Sequence, residues 1–159
     1  MKNKWQQTVI AIFFLISSTT GLAQDDDDSL MTYDLATRAM NAAEAYARNQ
    51  EWSVTILITD QNNNPVMLRR IDGAGARTFD FATAKALVVN ATGLSSGEYG
   101  SRVQANDIEE IEGGVTFAGG VPIYVEGQRI GAIATSGVRA LQDEEASMAG
   151  AEAIGSASN

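Results

Sequence analysis

Between residues 30 and 49, Leu35, Ala39, Ala42 and Tyr46 recur at spacings of three and four, the period of one helical face. Thr32 is placed to cap that helix, and Asp34 puts a negative charge in the first turn, where the helix dipole favours it. Arg48 follows Glu44 by four, the spacing of a supporting ion pair. At Trp52 the period changes to two. Trp52, Val54, Ile56 and Ile58 share one side, and Ser53, Thr55, Leu57 and Thr59 share the other, which predicts a strand. The turn formers from Asp60 to Pro65 separate it from a second strand at residues 66–71, so the two form a hairpin.

Residues 72–76 break the pattern. Thr78 can cap a helix over residues 79–91, and Ser95 with Glu98 has the spacing of a capping box that opens a short helix. The acidic residues 106–114 end in Gly113-Gly114 and read as loop, with residues 115–117 as a short strand before Gly119-Gly120. Residues 121–125 and 129–136 make a second hairpin. Asp143 is placed to cap the last helix, which shows a small-residue face at Ala146, Ala149, Gly150 and Ala153 and stops near Gly155. This order describes an α+β domain on a mainly antiparallel sheet.

The first 23 residues have a different character. Lys2 and Lys4 precede an apolar run over residues 9–16, and Gly21 and Ala23 are small residues placed for signal-peptidase cleavage before Gln24. That run is far short of the ~20 residues of a membrane-spanning helix. The organisation expected is a signal peptide at 1–23, an acidic leader at 24–29 carrying Asp25–Asp28, and one domain at 30–155. A periplasmic or secreted protein follows, with no stable membrane insertion once the peptide is removed.

Composition narrows the chemistry. The chain of 159 residues has no Cys and no His. It therefore has no disulfide, no thiolate nucleophile, no Ser-His-Asp relay and no imidazole ligand for a metal or haem. The formal charge of −9 becomes −11 without residues 1–23, which argues against nucleic acid as a partner. Lys85 is then the one remaining lysine.

Several short motifs occur in register. Arg70-Ile71-Asp72-Gly73-Ala74 is followed by Ala82 with Lys85-Ala86, then by Gly119-Gly120-Val121-Pro122-Ile123. Ile130-Gly131-Ala132-Ile133 with Ser136-Gly137 comes next, then Asp143 with Ala146 and Ala149-Gly150. This series resembles the GlcG/HbpS-like family of haem-binding or haem-degrading proteins, and the C-terminal domain of PduO-type proteins. The resemblance implies a profilin-like fold, a five-stranded antiparallel sheet with helices on both faces. It also implies a homo-oligomer and a small-molecule ligand such as haem, another tetrapyrrole or a small organic acid. Haem-binding members can use a His ligand, which this chain lacks. Met31, Met40, Met67, Met148, the four Tyr and Lys85 are the remaining candidates for axial ligation, with Met40 and Tyr46 better read as packing residues.

The ligand-binding candidates are Arg70, Asp72, Gly73, Lys85, Gly119 and Gly120. Arg70 can pin a carboxylate, with Asp72 to orient it, and an internal Arg70–Asp72 pair is the alternative; Arg77 is a secondary candidate. Gly73 leaves amides open before a helix, and Gly119-Gly120 allows a close approach by a ligand or by packing. Lys85 shares a stripe with Phe81 and Val88, so its stem packs while its ammonium binds an anion or pairs with a carboxylate such as Asp72. The acidic run of Asp107, Glu109, Glu110 and Glu112 is expected to be a solvated loop rather than a cation site. The first reading is an exported, non-catalytic small-molecule-binding protein. An enzyme using Lys85 or Asp72 for proton transfer, and an oligomeric accessory protein, are the alternatives.

Overall fold

The computed structural model describes residues 29–157. The expected signal peptide and almost all of the acidic leader lie outside the described residues. The helices are α1 (Tyr33–Asn49), α2 (Thr78–Thr92), α3 (Ser96–Gln104) and α4 (Ala140–Glu152). The strands are β1 (Thr55–Asp60), β2 (Pro65–Arg70), β3 (Gly120–Val125) and β4 (Gln128–Ser136), in one antiparallel sheet of order β2-β1-β4-β3. Among the described residues no helix is long and apolar enough to cross a membrane.

The α+β class and the antiparallel sheet with helices on both faces are as expected, but the sheet has four strands where five were expected. Residues 115–117 do not pair as a strand. There the Thr116 carbonyl lies against Gly100 of α3, so a helix occupies the place of a strand neighbour. Alternation in β1 sorts the two cores. Val54, Ile56 and Ile58 join Ala36, Ala39, Met40, Ala43 and Ala47 of α1 and Ala151 of α4. On the opposite face Leu57 meets Ala82 and Ala86 of α2 and Ala134 of β4. Each fully buried Ile or Leu contributes roughly 1.5–3 kcal/mol.

Of the expected face of α1, Ala39 is buried, but Leu35, Ala42 and Tyr46 are only partly so, and the inward face is turned toward Ala36, Met40, Ala43 and Ala47. Small residues win because α4 packs so close. A methyl group on Gly150 would sit 2.9 Å from the Ala39 carbonyl oxygen and 3.1 Å from the Ala43 Cβ. Tyr46 instead donates its hydroxyl to Glu145 at 2.9 Å. Thr32 and Ser95 cap α1 and α3 as expected, accepting from the Leu35 and Glu98 amides. Two other caps differ. Arg77 precedes α2, and Thr78 is its first residue, donating to the Gly75 carbonyl at 2.7 Å. Arg139 precedes α4, which puts Asp143 inside the helix and leaves its carboxylate for another task.

The two edges of the sheet are finished differently. On β3 the outward positions are Gly120, Pro122 and Tyr124. The Gly120 amide donates to the Ser96 hydroxyl at 2.9 Å, Pro122 has no N–H, and Tyr124 exchanges two backbone hydrogen bonds with Ser156. On β2, Arg69 and Met67 face β1, so Leu68 and Arg70 turn their amides outward. Among the described residues β2 has no second strand neighbour, and Leu68 is 46% exposed.

Candidate functional site

Strands β1 and β3 begin, and β2 and β4 end, at one end of the sheet, where the N-terminus of α2 also lies. All six sequence-predicted site residues are at this end, but in two groups. Arg70, Asp72 and Gly73 leave outer strand β2; Gly119 and Gly120 enter outer strand β3. Three strand spacings, about 14 Å, separate those edges.

In the first group Arg70 and Asp72 do not pair with each other. The Arg70 guanidinium donates to the Ala74 carbonyl at 2.5 Å and closes the turn, and Asp72 is exposed beside a shallow recess lined by Trp52 and Ser53. Gly73 has φ +89°, and a Cβ there would meet the Ser53 hydroxyl at 2.8 Å. The turn is also held from below, where the Thr55 and Thr78 hydroxyls lie 2.7 Å apart.

The second group is built around Lys85. Its place on the sheet-facing side of α2 buries it completely. The ammonium donates to Asp143 Oδ2 at 2.8 Å and to the Thr135 carbonyl at 2.8 Å. The carboxylate partner is therefore Asp143, not Asp72. Asp143 also accepts from the Val138 amide at 3.1 Å. Next to it the Ser147 hydroxyl lies 2.8 Å from the Gly119 carbonyl and 2.9 Å from the Thr135 hydroxyl. Both contacts are satisfied when Thr135 donates to Ser147 and Ser147 donates to Gly119.

Gly119 explains how a lysine of α2 reaches a carboxylate of α4. Its φ of +128° favours glycine, and an added methyl would overlap the Lys85 ammonium and lie 2.8 Å from the Asp143 Cβ. Gly120 is similarly tight, with the Lys85 Cβ 3.0 Å from the position a side chain would take. The two glycines are thus a notch in the sheet through which the ion pair passes. Burial pushes the Lys85 ammonium below its ordinary range, and the Asp143 charge and hydrogen bond work against that. Burial likewise pushes the Asp143 carboxyl up, opposed first by Lys85 and then by the Val138 and Gly137 amides. Both shifts narrow the difference in proton affinity across the 2.8 Å Nζ–Oδ2 contact.

Above the pair lies an aromatic surface that sequence reasoning did not assemble. Phe117 is 38% exposed, and its ring lies 5.1 Å from the Lys85 ammonium. Phe81 meets Phe117 edge to face at 5.6 Å, and the Arg77 guanidinium lies 4.8 Å over the Phe81 ring. Arg77 has no carboxylate within ion-pair reach among the described residues. The i, i+4 spacing of Arg77 and Phe81 was a readable signal for their contact. Nothing local announces that Phe117, far along the chain, joins them.

A separate cleft of about 510 Å³ lies between β3 and α4, lined by Pro122, Tyr124 and Met148 but also by Glu98, Glu144 and Glu152. Its acidic walls disfavour a carboxylate ligand. Met31 and Met40, named above as possible iron ligands, are buried in the core. Among the described residues no group of three or more Asp, Glu, His or Cys side chains is arranged to hold a metal.

The fold is thus an α+β sheet with helices on both faces, notched at one edge to admit a buried Lys–Asp pair. The family model for haem degrading protein HbpS-like matches residues 31–152, and the chain belongs to that family. A double mutant of Streptomyces reticuli HbpS superposes with a TM-score of 0.72 at 27% identity, covering 96% of this chain and 99% of that one. The crystal structure of PduOC in complex with haem has a TM-score of 0.72 at 22% identity, covering 78% and 94%. Klebsiella pneumoniae protein ORFY has a TM-score of 0.71 at 21% identity, covering 96% of both chains. The comparison with curated proteins finds no match.

Proposed function

We propose that this is an exported small-molecule-binding protein whose ligand is haem, a related tetrapyrrole or a small organic acid. The observation that carries this reading is the surface where Phe117 lies over Lys85 and is joined through Phe81 to Arg77. Membership of the HbpS-like family and the likeness to a protein crystallised with haem support it. Two aromatic rings offer apolar area to a planar macrocycle, and an uncommitted guanidinium offers a carboxylate a bidentate partner. The fit is to the porphyrin faces and propionates. No Met, Tyr, His or Cys is among these contacting side chains, so the iron would take no axial ligand from them. Arg77 and Phe117 thereby replace Arg70 and Asp72 as the leading contacts, and Lys85 with Gly119-Gly120 form the floor.

Titration of the purified protein with haemin tests this. A saturable Soret shift that weakens at least tenfold in Arg77→Gln supports the reading. Absence of any shift at micromolar haemin removes the tetrapyrrole, and calorimetry with succinate then decides the organic-acid form. Export predicts cleavage after Ala23, read as the mass of the mature chain. Self-association, which the open β2 edge favours, predicts a mass above that of the monomer by light scattering. If catalysis occurs at this site, Asp143 is the proton partner of Lys85, because it is the carboxylate in contact with Nζ.

A further inference from the structure

The Lys85 ammonium has three N–H donors, and two of them meet oxygen acceptors, Asp143 Oδ2 and the Thr135 carbonyl. The third side of the ammonium is covered by the Phe117 ring at 5.1 Å, a weaker partner than an oxygen. Phe117 is the outermost part of this arrangement: the ring is 38% exposed while Lys85 has no exposed surface. It rides on residues 105–119, a stretch with neither helix nor strand. The backbone beside it is held at Gly119, whose carbonyl accepts from the Thr135 amide and the Ser147 hydroxyl, so displacement of the cover is a rotation of the Phe117 side chain. Its neighbour Phe81 meets it edge to face at 5.6 Å.

The partner carboxylate does not cancel the ammonium completely. Asp143 spends part of its charge on the backbone amide of Val138. Two further charged groups lie nearby: Arg77, a cation over the Phe81 ring, and Glu144, a carboxylate within electrostatic reach of Lys85 that an incoming acid must outcompete. A carboxylate entering under the ring would gain the third N–H of Lys85, while Arg77 stands farther out, beyond Phe81, at the rim of the surface.

We infer that Phe117 is a movable cover over Lys85, and that a carboxylate-bearing ligand displaces the ring to bind the Lys85 ammonium, with Arg77 at the rim. This rests on the binding reading above but adds a site for the acid group that the closed surface hides.

The sequence supplies an unusual probe. Lys85 is the single lysine after Lys4. Acetylation of the folded protein by sulfo-N-hydroxysuccinimidyl acetate at pH 8, followed by mass spectrometry of the peptide containing Lys85, reports its exposure alone. The expected result is slow labelling in the wild type and at least tenfold faster labelling in Phe117→Ala. Phe117→Leu, a smaller change that keeps an apolar cover, should be intermediate. Phe79→Ala, which removes another exposed ring of α2, should label like the wild type. Sodium succinate should slow labelling of Phe117→Ala severalfold relative to sodium chloride of equal ionic strength. Circular dichroism confirms that each variant is folded, and Phe117→Leu serves if Phe117→Ala is not. Labelling unchanged by loss of the ring would refute the cover; faster labelling that succinate does not slow would refute the carboxylate site. Neither outcome depends on haemin, so failure here is distinguishable from failure of the haem reading.

Discussion

Replacing Lys85 by Met keeps the length and apolar stem of the side chain but removes the cation. Asp143, 3% exposed, would retain the Val138 amide and lose its ion-pair partner, and the Thr135 carbonyl would lose a 2.8 Å donor. Breaking a buried pair from one side costs about 3–5 kcal/mol, because an uncompensated charge stays behind. With an unfolding entropy of ~2.1 cal/mol/K per residue over roughly 130 residues, a loss of about 4 kcal/mol lowers Tm by ~15 °C. Urea unfolding followed by circular dichroism and Trp52 fluorescence measures the loss at 25 °C. The pH dependence has a definite sign. Without Lys85 the folded Asp143 carboxyl titrates further above its ordinary 3.8, so the folded state binds the proton more readily than the unfolded one. The variant therefore gains stability as pH falls through the window between that raised value and 3.8, and its gap from wild type narrows. The double variant Lys85→Met/Asp143→Leu leaves no unpaired carboxylate and should recover most of the loss. A cost under about 1 kcal/mol for Lys85→Met, or a double variant as unstable as the two single losses added together, would refute this role of the pair.

Two further expectations are independent of that pair's charge. Gly119→Ala should lower Tm sharply, since its methyl overlaps the Lys85 ammonium at φ +128°, whereas Gly75→Ala meets nothing closer than a Thr78 methyl at 3.8 Å and should be near neutral; equal effects in thermal melts would refute the notch. Glu44 is held below its ordinary 4.5 first by the Arg48 hydrogen bond and then by that of Arg69. Its contribution is present above 4.5 and lost as pH falls through the lowered value, so wild type should lose its advantage over Glu44→Gln during acid titration, and a gap that persists at pH 2 would contradict this.

Much of the fold was legible because local periodicity and burial agree. The alternation at Trp52–Thr59 correctly sorted Val54, Ile56 and Ile58 from Leu57, since β1 is covered on both faces and each side must be apolar or satisfied. The fifth strand was not legible as an error, because residues 115–117 are β-formers and only their contact with Gly100 shows what replaces a strand partner. Lys85 was legible as a half-apolar helix position, but its partner was not, since the choice between Asp72 and Asp143 depends on the path across the sheet. One clue was available. Asp143 lies at helical spacing from the small residues Ala146, Ser147, Gly150 and Ala151, and the structure buries all five, so the carboxylate belongs to the inward stripe rather than to a cap. The aromatic surface was hidden for a different reason, as it is built from residues of α2 and a loop far along the chain.

The unequal finish of the two sheet edges sets a limit on growth. Ser96, Pro122 and Ser156 remove every outward amide at Gly120, Pro122 and Tyr124, while among the described residues β2 keeps its own. A sheet with one closed border can be extended edge to edge only once. Two copies joined through β2 would present closed borders at both ends, so such pairing terminates at a finite particle and cannot run on into a fibril.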